Sequence, residues 1–228
     1  GWDALLNRKE RPFTGRSVEL ERLGLYDFLL IAQRGAQLLD VRDPVDFAAG
    51  HLNGAIGVGL DGSFDQWAGP LLDPGKPVAI VVYPGGEATA VARLANLGIH
   101  NVVGFLSSGM GAAAFNPETV ETTTRITAIN LADRLAGSEP PVLVDVRARA
   151  EWKAGHIVGS VNVPLQELND RLEELPKDRT LAVQCLGGYR SSVAAGILQR
   201  AGITDLVELT GGIKAWEASR LPTVAEAG

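Results

Sequence analysis

The chain has 228 residues, 46% of them apolar, and a net charge of −6 from 21 basic and 27 acidic side chains. That length suits two domains of about 100 residues each. The acidic balance, without any long block of Lys or Arg, speaks against nucleic acid or a membrane surface as partner. No apolar run approaches the roughly 18 residues that a bilayer span requires. The start, Gly1-Trp2-Asp3-Ala4, lacks the basic region and apolar stretch of a signal peptide, and it lacks an initiator Met, as expected of a processed protein or a piece of a longer one. A single cysteine allows no internal disulfide and fits a reducing, cytoplasmic compartment. His51, His100 and His156 lie too far apart for ligand-type spacing, so no metal site is expected.

Residues 1–15 read as irregular. Short apolar strands follow at Leu38–Val41, Ala55–Val58 and Val78–Val82, then a helix over Glu87–Leu97 and a strand at Val102-Val103. Residues 116–124, within a stretch rich in Thr, Glu, Asn and Pro, read as a linker between a domain at 16–115 and another at 125–228. In the second domain Thr127 can cap a helix over Ala128–Ala136, closed by Gly137 and Pro140-Pro141. Val142–Val146 reads as a buried strand, Glu151–Ala154 as a short helix, and Val161–Val163 as a strand stopped by Pro164. Leu165, Leu168, Leu172 and Leu175 recur at helical spacing. A strand at Leu181–Val183 leads into Cys185. Val193, Ala194, Ile197, Leu198 and Ala201 then mark one face of a helix beginning near Ser191 and ending at Gly202. Leu206-Val207 is a strand and Ile213–Ala218 a last helix. Strands alternating with helices predict an α/β fold in each domain, a mostly parallel sheet with helices on both faces.

The two domains are copies. Leu39-Asp40-Val41-Arg42 returns as Val144-Asp145-Val146-Arg147, Ala49-Gly50-His51-Leu52 as Ala154-Gly155-His156-Ile157, and Leu97-Gly98-Ile99 as Ala201-Gly202-Ile203. A period of about 105 residues is too long for a solenoid and indicates a duplicated domain.

In a parallel sheet, ligands bind beyond the carboxyl ends of the strands. There lies the run Cys185-Leu186-Gly187-Gly188-Tyr189-Arg190-Ser191. A helix starting after it directs unpaired N–H groups and a positive dipole end at the loop. Gly187 and Gly188 let successive amides turn inward as an anion cradle. Arg190 adds a full positive charge. All three favour a thiolate, an oxyanion or a persulfide anion on Cys185. Ser191 serves as helix N-cap or lines the cradle, and Leu186 and Tyr189 are placed to shape acceptor choice.

These features resemble the rhodanese, or sulfurtransferase, family. The resemblance covers nearly all of both repeats and rests on Asp145-Val146-Arg147, Glu151-Trp152, Gly155-His156-Ile157, Gly159 to Pro164, the Cys185 loop, and Thr210-Gly211-Gly212 before Trp216. It implies that Cys185 accepts a sulfane sulfur as a persulfide from thiosulfate or a low-molecular-weight persulfide such as glutathione persulfide. The sulfur would pass to a thiol, cyanide or sulfite, without a cofactor. Cys185 to Arg190 makes a six-residue loop, as in sulfur-transferring members; related dual-specificity phosphatases have one residue more. A tandem pair whose first copy lacks the cysteine also resembles the C-terminal part of bacterial persulfide dioxygenase–rhodanese fusions, which carry an iron-bearing metallo-β-lactamase-like domain at the N-terminus. A non-enzymatic alternative is a persulfide-sensing or docking module.

The first copy's loop is Tyr83-Pro84-Gly85-Gly86-Glu87, with Tyr83 or a neighbour at the cysteine's place, no Arg, and Glu87 to repel an anion. That domain reads as non-catalytic, either a support or one wall of a cleft over Cys185. His51 and His156, equivalent in the two copies, read as structural. Asp40 with Arg42 and Asp145 with Arg147 read as strand-end ion pairs. Glu151 reads as a helix-start carboxylate, and Trp67, Trp152 and Trp216 as packing residues.

Overall fold

The structure, a computed structural model, describes residues 20–226. The irregular segment expected at 1–15 lies outside them. The chain divides into two compact units, the first reaching to Glu121 and the second running from Thr122 and taking in Phe47–Ala49.

In chain order the first half carries β1 (Arg22–Leu23), α1 (Leu25–Gln33), β2 (Gln37–Asp40), α2 (Pro44–Ala49), β3 (His51–Leu52), β4 (Ile56–Gly57), α3 (Phe64–Leu71), β5 (Val78–Val81), α4 (Glu87–Asn96), β6 (Val102–Leu106) and β7 (Val120–Glu121). The second half carries β8 (Thr124–Ile126), α5 (Ala128–Leu135), β9 (Val142–Asp145), α6 (Arg149–Ala154), β10 (His156–Ile157), β11 (Val161–Asn162), β12 (Leu181–Gln184), α7 (Tyr189–Arg200), β13 (Leu206–Leu209), α8 (Gly212–Ala218) and β14 (Thr223–Val224). Each unit is built on a five-stranded sheet, in the orders β1-β6-β5-β2-β4 and β8-β13-β12-β9-β11, and every pairing in both is parallel. The central strands β5 and β12 are buried at every residue, as strands covered by helices on both faces must be. A small antiparallel pair accompanies each sheet: β3 with β7, and β10 with β14.

Local chemistry explains several boundaries. Thr127 accepts a hydrogen bond from the Asn130 amide (3.3 Å) and so caps α5. Residues 165–174, read as a helix from the leucine spacing, form successive 3-10 turns instead. Two leucines three apart, Leu165 and Leu168, share a face at three residues per turn as readily as at 3.6. Residues 116–124 are more than a linker. They hold a 3-10 turn at Pro117–Thr119, the strand β7 against β3, and the start of β8. Among the described residues no helix is long and apolar enough to cross a membrane, and no group of three or more His, Cys, Asp or Glu is placed to hold a metal.

The duplication is visible in one repeated ion pair. At the end of β2 the Asp40 carboxylate accepts both the Arg42 amide and its guanidinium, which also donates to Gly50 O at 2.7 Å. At the end of β9, Asp145 and Arg147 repeat this arrangement onto Gly155 O, again at 2.7 Å. Each staple ties a strand end to the residue closing the next short helix. Both aspartates are fully buried, so removing one leaves an uncompensated buried cation. Asp145→Ala should therefore destabilise the protein by about 3–5 kcal/mol, read as a lowered urea midpoint; an unchanged midpoint would show that the pair contributes nothing.

Candidate active site

Cys185 follows directly on β12, between β9 and β13, and is almost completely buried. Leu186 and Gly187 are exposed, and the chain then turns sharply at Gly188, whose φ of 110° is left-handed backbone that glycine adopts without strain. Gly188 is the N-cap of α7. Its amide points back at the sulfur and donates to Cys185 Sγ at 3.1 Å. The thiol thus faces the positive end of a 12-residue helix, as the sequence predicts. The helix begins at Tyr189, two residues earlier than expected. Ser191 therefore sits within the first turn rather than at the N-cap.

Ser191 is fully buried beneath the loop. Its hydroxyl lies 3.5 Å from Cys185 Sγ, positioned to accept the thiol proton, and has the Gly188 carbonyl (3.1 Å) and Glu208 Oε1 (2.7 Å) as acceptors. Glu208 lies in the middle of β13, register-paired with Val183 of β12 and Arg125 of β8. Its other oxygen, Oε2, meets Arg125 Nε at 3.3 Å without an aligned hydrogen bond. Burial pushes the Glu208 carboxyl above the usual carboxylate range, against the opposing pull of Ser191 and Arg125. Neither Glu208 nor Arg125 stands out in the sequence reading, which ends the strand at Val207. An acid flanked by Val207 and Leu209 in a buried parallel strand was the available signal.

Arg190 makes a two-pronged pair with Glu151, Nη1 to Oε2 at 2.6 Å and Nη2 to Oε1 at 2.8 Å. Glu151 also accepts the Ala148 amide at 3.0 Å, which is its helix-start role. The pair holds the Glu151 carboxyl below its ordinary range, chiefly through the hydrogen bond from Arg190, and raises Arg190 in turn. Arg190 thus meets Cys185 through its field, with its hydrogen bonds committed to Glu151.

The loop is gripped from the other side by α8. The Ile213 amide donates to Cys185 O (2.8 Å) and the Lys214 amide to Leu186 O (3.2 Å). This close approach explains Thr210-Gly211-Gly212. A Cβ on Gly212 would stand 2.3 Å from Cys185 O and 2.7 Å from Leu186 C, and its φ of 59° is also left-handed.

In the first unit, Val81 pairs with Asp40 as Gln184 pairs with Asp145. The buried Val82, not Tyr83, therefore stands where the second unit has Cys185. Tyr83 instead donates its hydroxyl to the Asp46 carboxylate and accepts the Asp43 amide at 3.1 Å. The remaining candidates make local contacts: His156 Nδ1 lies 2.8 Å from Trp152 O and its ring stacks on Trp152, while Trp152 Nε1 donates to Ser160 Oγ and Trp216 Nε1 to Pro222 O, both at 2.9 Å. His51 faces Glu121 at 4.0 Å, and Trp67 is buried.

Two stability measurements test this geometry. Gly212→Ala should cost about 1–3 kcal/mol from its left-handed backbone alone, with the clash against Cys185 O in addition. Gly187→Ala, with open space around its Cβ, should stay within about 0.5 kcal/mol of wild type; equal effects would contradict the grip. For Glu151, a folded pKa below the unfolded one means that its stabilisation is full above the ordinary carboxylate range and is lost as pH falls through the depressed value. The melting-temperature gap between wild type and Glu151→Gln should therefore be constant near neutrality and close in acid. A gap independent of pH would count against the pair.

The family comparison falls on both units of this architecture. The family model described as Rhodanese-like domain matches residues 28–114 and again 127–219. A protein named sulfurtransferase from Allochromatium vinosum is 38% identical over 99 residues, 43% of this chain and 92% of that protein. A probable adenylyltransferase/sulfurtransferase, MoeZ, from Mycobacterium tuberculosis is 35% identical over 114 residues, which is 49% of this chain but 29% of that longer protein. Among solved structures, a rhodanese-related protein from Thermoplasma volcanium is 32% identical, with a TM-score of 0.42 over 45% of this chain and 99% of its own. With a family match on each of the two units, together spanning most of the chain, the protein belongs to the rhodanese-like family.

Proposed function

We propose that the protein is a sulfurtransferase in which Cys185 carries sulfane sulfur between a small donor and a nucleophilic acceptor. The observation that supports this most is the position of Cys185 Sγ, 3.1 Å from the Gly188 amide at the start of α7, in a six-residue loop ending at Arg190. The names of the relatives point the same way.

The reaction is a double displacement. The Cys185 thiolate attacks the outer sulfur of thiosulfate or of a persulfide such as glutathione persulfide. A new S–S bond forms, the donor's own bond breaks, and sulfite or a thiolate departs with that bond's electron pair. The persulfide's terminal sulfur lies in the loop formed by Leu186, Gly187, Gly188 and Tyr189. There, amides and the helix dipole stabilise its charge, with Arg190 contributing its field. An acceptor thiolate, cyanide or sulfite then attacks that outer sulfur and releases the Cys185 thiolate. Oxidation states balance within the exchange, so the cycle needs no cofactor. Val82, without a nucleophile, makes the first unit non-catalytic. Its presence ahead of the catalytic unit supports the finer reading, a likeness to the C-terminal pair of persulfide dioxygenase fusions and a place in sulfide detoxification.

Steady-state kinetics with donor and acceptor both varied test the proposal. Parallel double-reciprocal lines and a loss of at least ~10³-fold in Cys185→Ser are expected. Undiminished turnover in Cys185→Ser would overturn it. Uptake of sulfur without release would identify a sensor instead, and Cys185-dependent hydrolysis of an aryl phosphate would identify a phosphatase.

A further inference from the structure

The buried acid beneath the loop is unexplained by the double displacement. Glu208 is fully buried in the middle of a parallel sheet, and a carboxyl there costs stability unless it is paired or neutral. Its partners are unequal. Oε1 has a strong hydrogen bond from Ser191 at 2.7 Å, while Oε2 has the 3.3 Å approach of Arg125 without hydrogen-bond alignment. Ser191 in turn touches Cys185 Sγ. The three side chains form a continuous chain, sulfur to hydroxyl to carboxyl, running inward from the loop.

We propose that Cys185 and Glu208 share a single proton through Ser191, so that in the singly protonated cluster Glu208 holds it when the sulfur is anionic. In the resting arrangement the thiol donates to Ser191 Oγ, and Ser191 donates to a Glu208 carboxylate. On activation the S–H bond breaks and an Oγ–H bond forms. The original Oγ–H bond breaks and an Oε1–H bond forms, and the electron pair stays on sulfur. Ser191 then donates to the thiolate and accepts from the neutral carboxyl. The buried cluster carries one negative charge in both forms, opposite the one positive charge of Arg125. It therefore ionises its nucleophile without burying a second anion. When the acceptor regenerates the thiolate, the proton can return along the same atoms. Glu208 touches no substrate and acts through Ser191, so it is a positioning residue. The upward push of burial on its carboxyl is consistent with its holding a proton.

The other charged groups around the cluster are already committed or exposed. Arg190 on α7 is paired with Glu151 on α6, and Asp145 on β9 with Arg147. On α8, Lys214 and Glu217 are exposed. From β12 the register partner of Glu208 is the apolar Val183.

This inference deepens the sulfur-transfer reading of Cys185 and is tested without any sulfur donor, so the two can fail separately. Because Cys185 is the sole cysteine of the chain, iodoacetamide reports on it alone. The alkylation rate of the whole protein is followed across pH. Two coupled groups sharing a proton give two steps with a plateau between them, where the thiolate fraction no longer depends on pH. Wild type should show that plateau. Glu208→Gln keeps the shape and the bond to Ser191 but cannot take the proton, so it should show one step, with the rate falling about tenfold per pH unit below it. Ser191→Ala should keep two steps with the lower one moved up by about one pH unit, because the singly protonated cluster loses one hydrogen bond to its anion whichever group holds the proton. A single step in wild type, a plateau that survives in Glu208→Gln, or an unmoved lower step in Ser191→Ala would overturn the proposal. If Glu208→Gln does not fold, the Ser191→Ala profile decides alone.

Discussion

The peptide at Cys185 is pinned at both ends, and the site depends on it. Its carbonyl is held by the Ile213 amide of α8 and its sulfur by the Gly188 amide at the head of α7. A loop carrying two exposed residues, Leu186 and Gly187, would otherwise be free to move its cysteine. The double anchorage fixes the sulfur at the end of β12 and aims a helix at it. It also dictates sequence at a distance. Gly212 must lack a side chain because α8 comes so close to the loop, and Gly188 must tolerate left-handed backbone so that its amide can turn inward.

Around that anchor, charges occur in pairs that differ in burial and in how well they are satisfied. The outermost is Arg190 with Glu151, half-exposed and two-pronged. Asp145 with Arg147 is buried and structural, stapling a strand end to the close of a helix. Glu208 with Arg125 runs along the sheet under the sulfur and is the least well satisfied. Imperfect compensation of a buried acid is costly for folding but leaves its proton available. The sign of its linkage is opposite to that of Glu151. A raised folded pKa favours the folded state in acid and penalises it as pH rises.

Much of this was legible in the sequence because it repeats. Matching Asp-Val-Arg strand ends in the two copies pointed to paired staples, and apolar runs between helical stretches pointed to parallel sheets. The Cys185 loop could be read because its glycines, cation and helix lie within a few residues of one another. What escaped was non-local. The cysteine's counterpart stayed open between Tyr83 and a neighbour because α4 is two residues shorter than α7 and the loop before it is longer; only strand register places Val82 there. Glu208 and Arg125 lie far apart in sequence and meet only because β13 and β8 are neighbours in register. The 3-10 turns at 165–174 escaped because leucines three apart satisfy either helix period.

The two units share one scaffold and differ at the end of its central strand. Both keep the five-stranded parallel sheet and the buried staple, yet Val82 fills with a methyl pair the place where the second unit puts a sulfur. The central claim is therefore that transferable sulfur resides on Cys185. The most direct measurement is intact-protein and peptide mass spectrometry after mixing with thiosulfate or glutathione persulfide, followed by addition of an acceptor thiol. One added sulfur atom confined to the Cys185 peptide, and removed by the acceptor, is the predicted result. No adduct with either donor, or sulfur retained on the peptide after the acceptor is added, would contradict it.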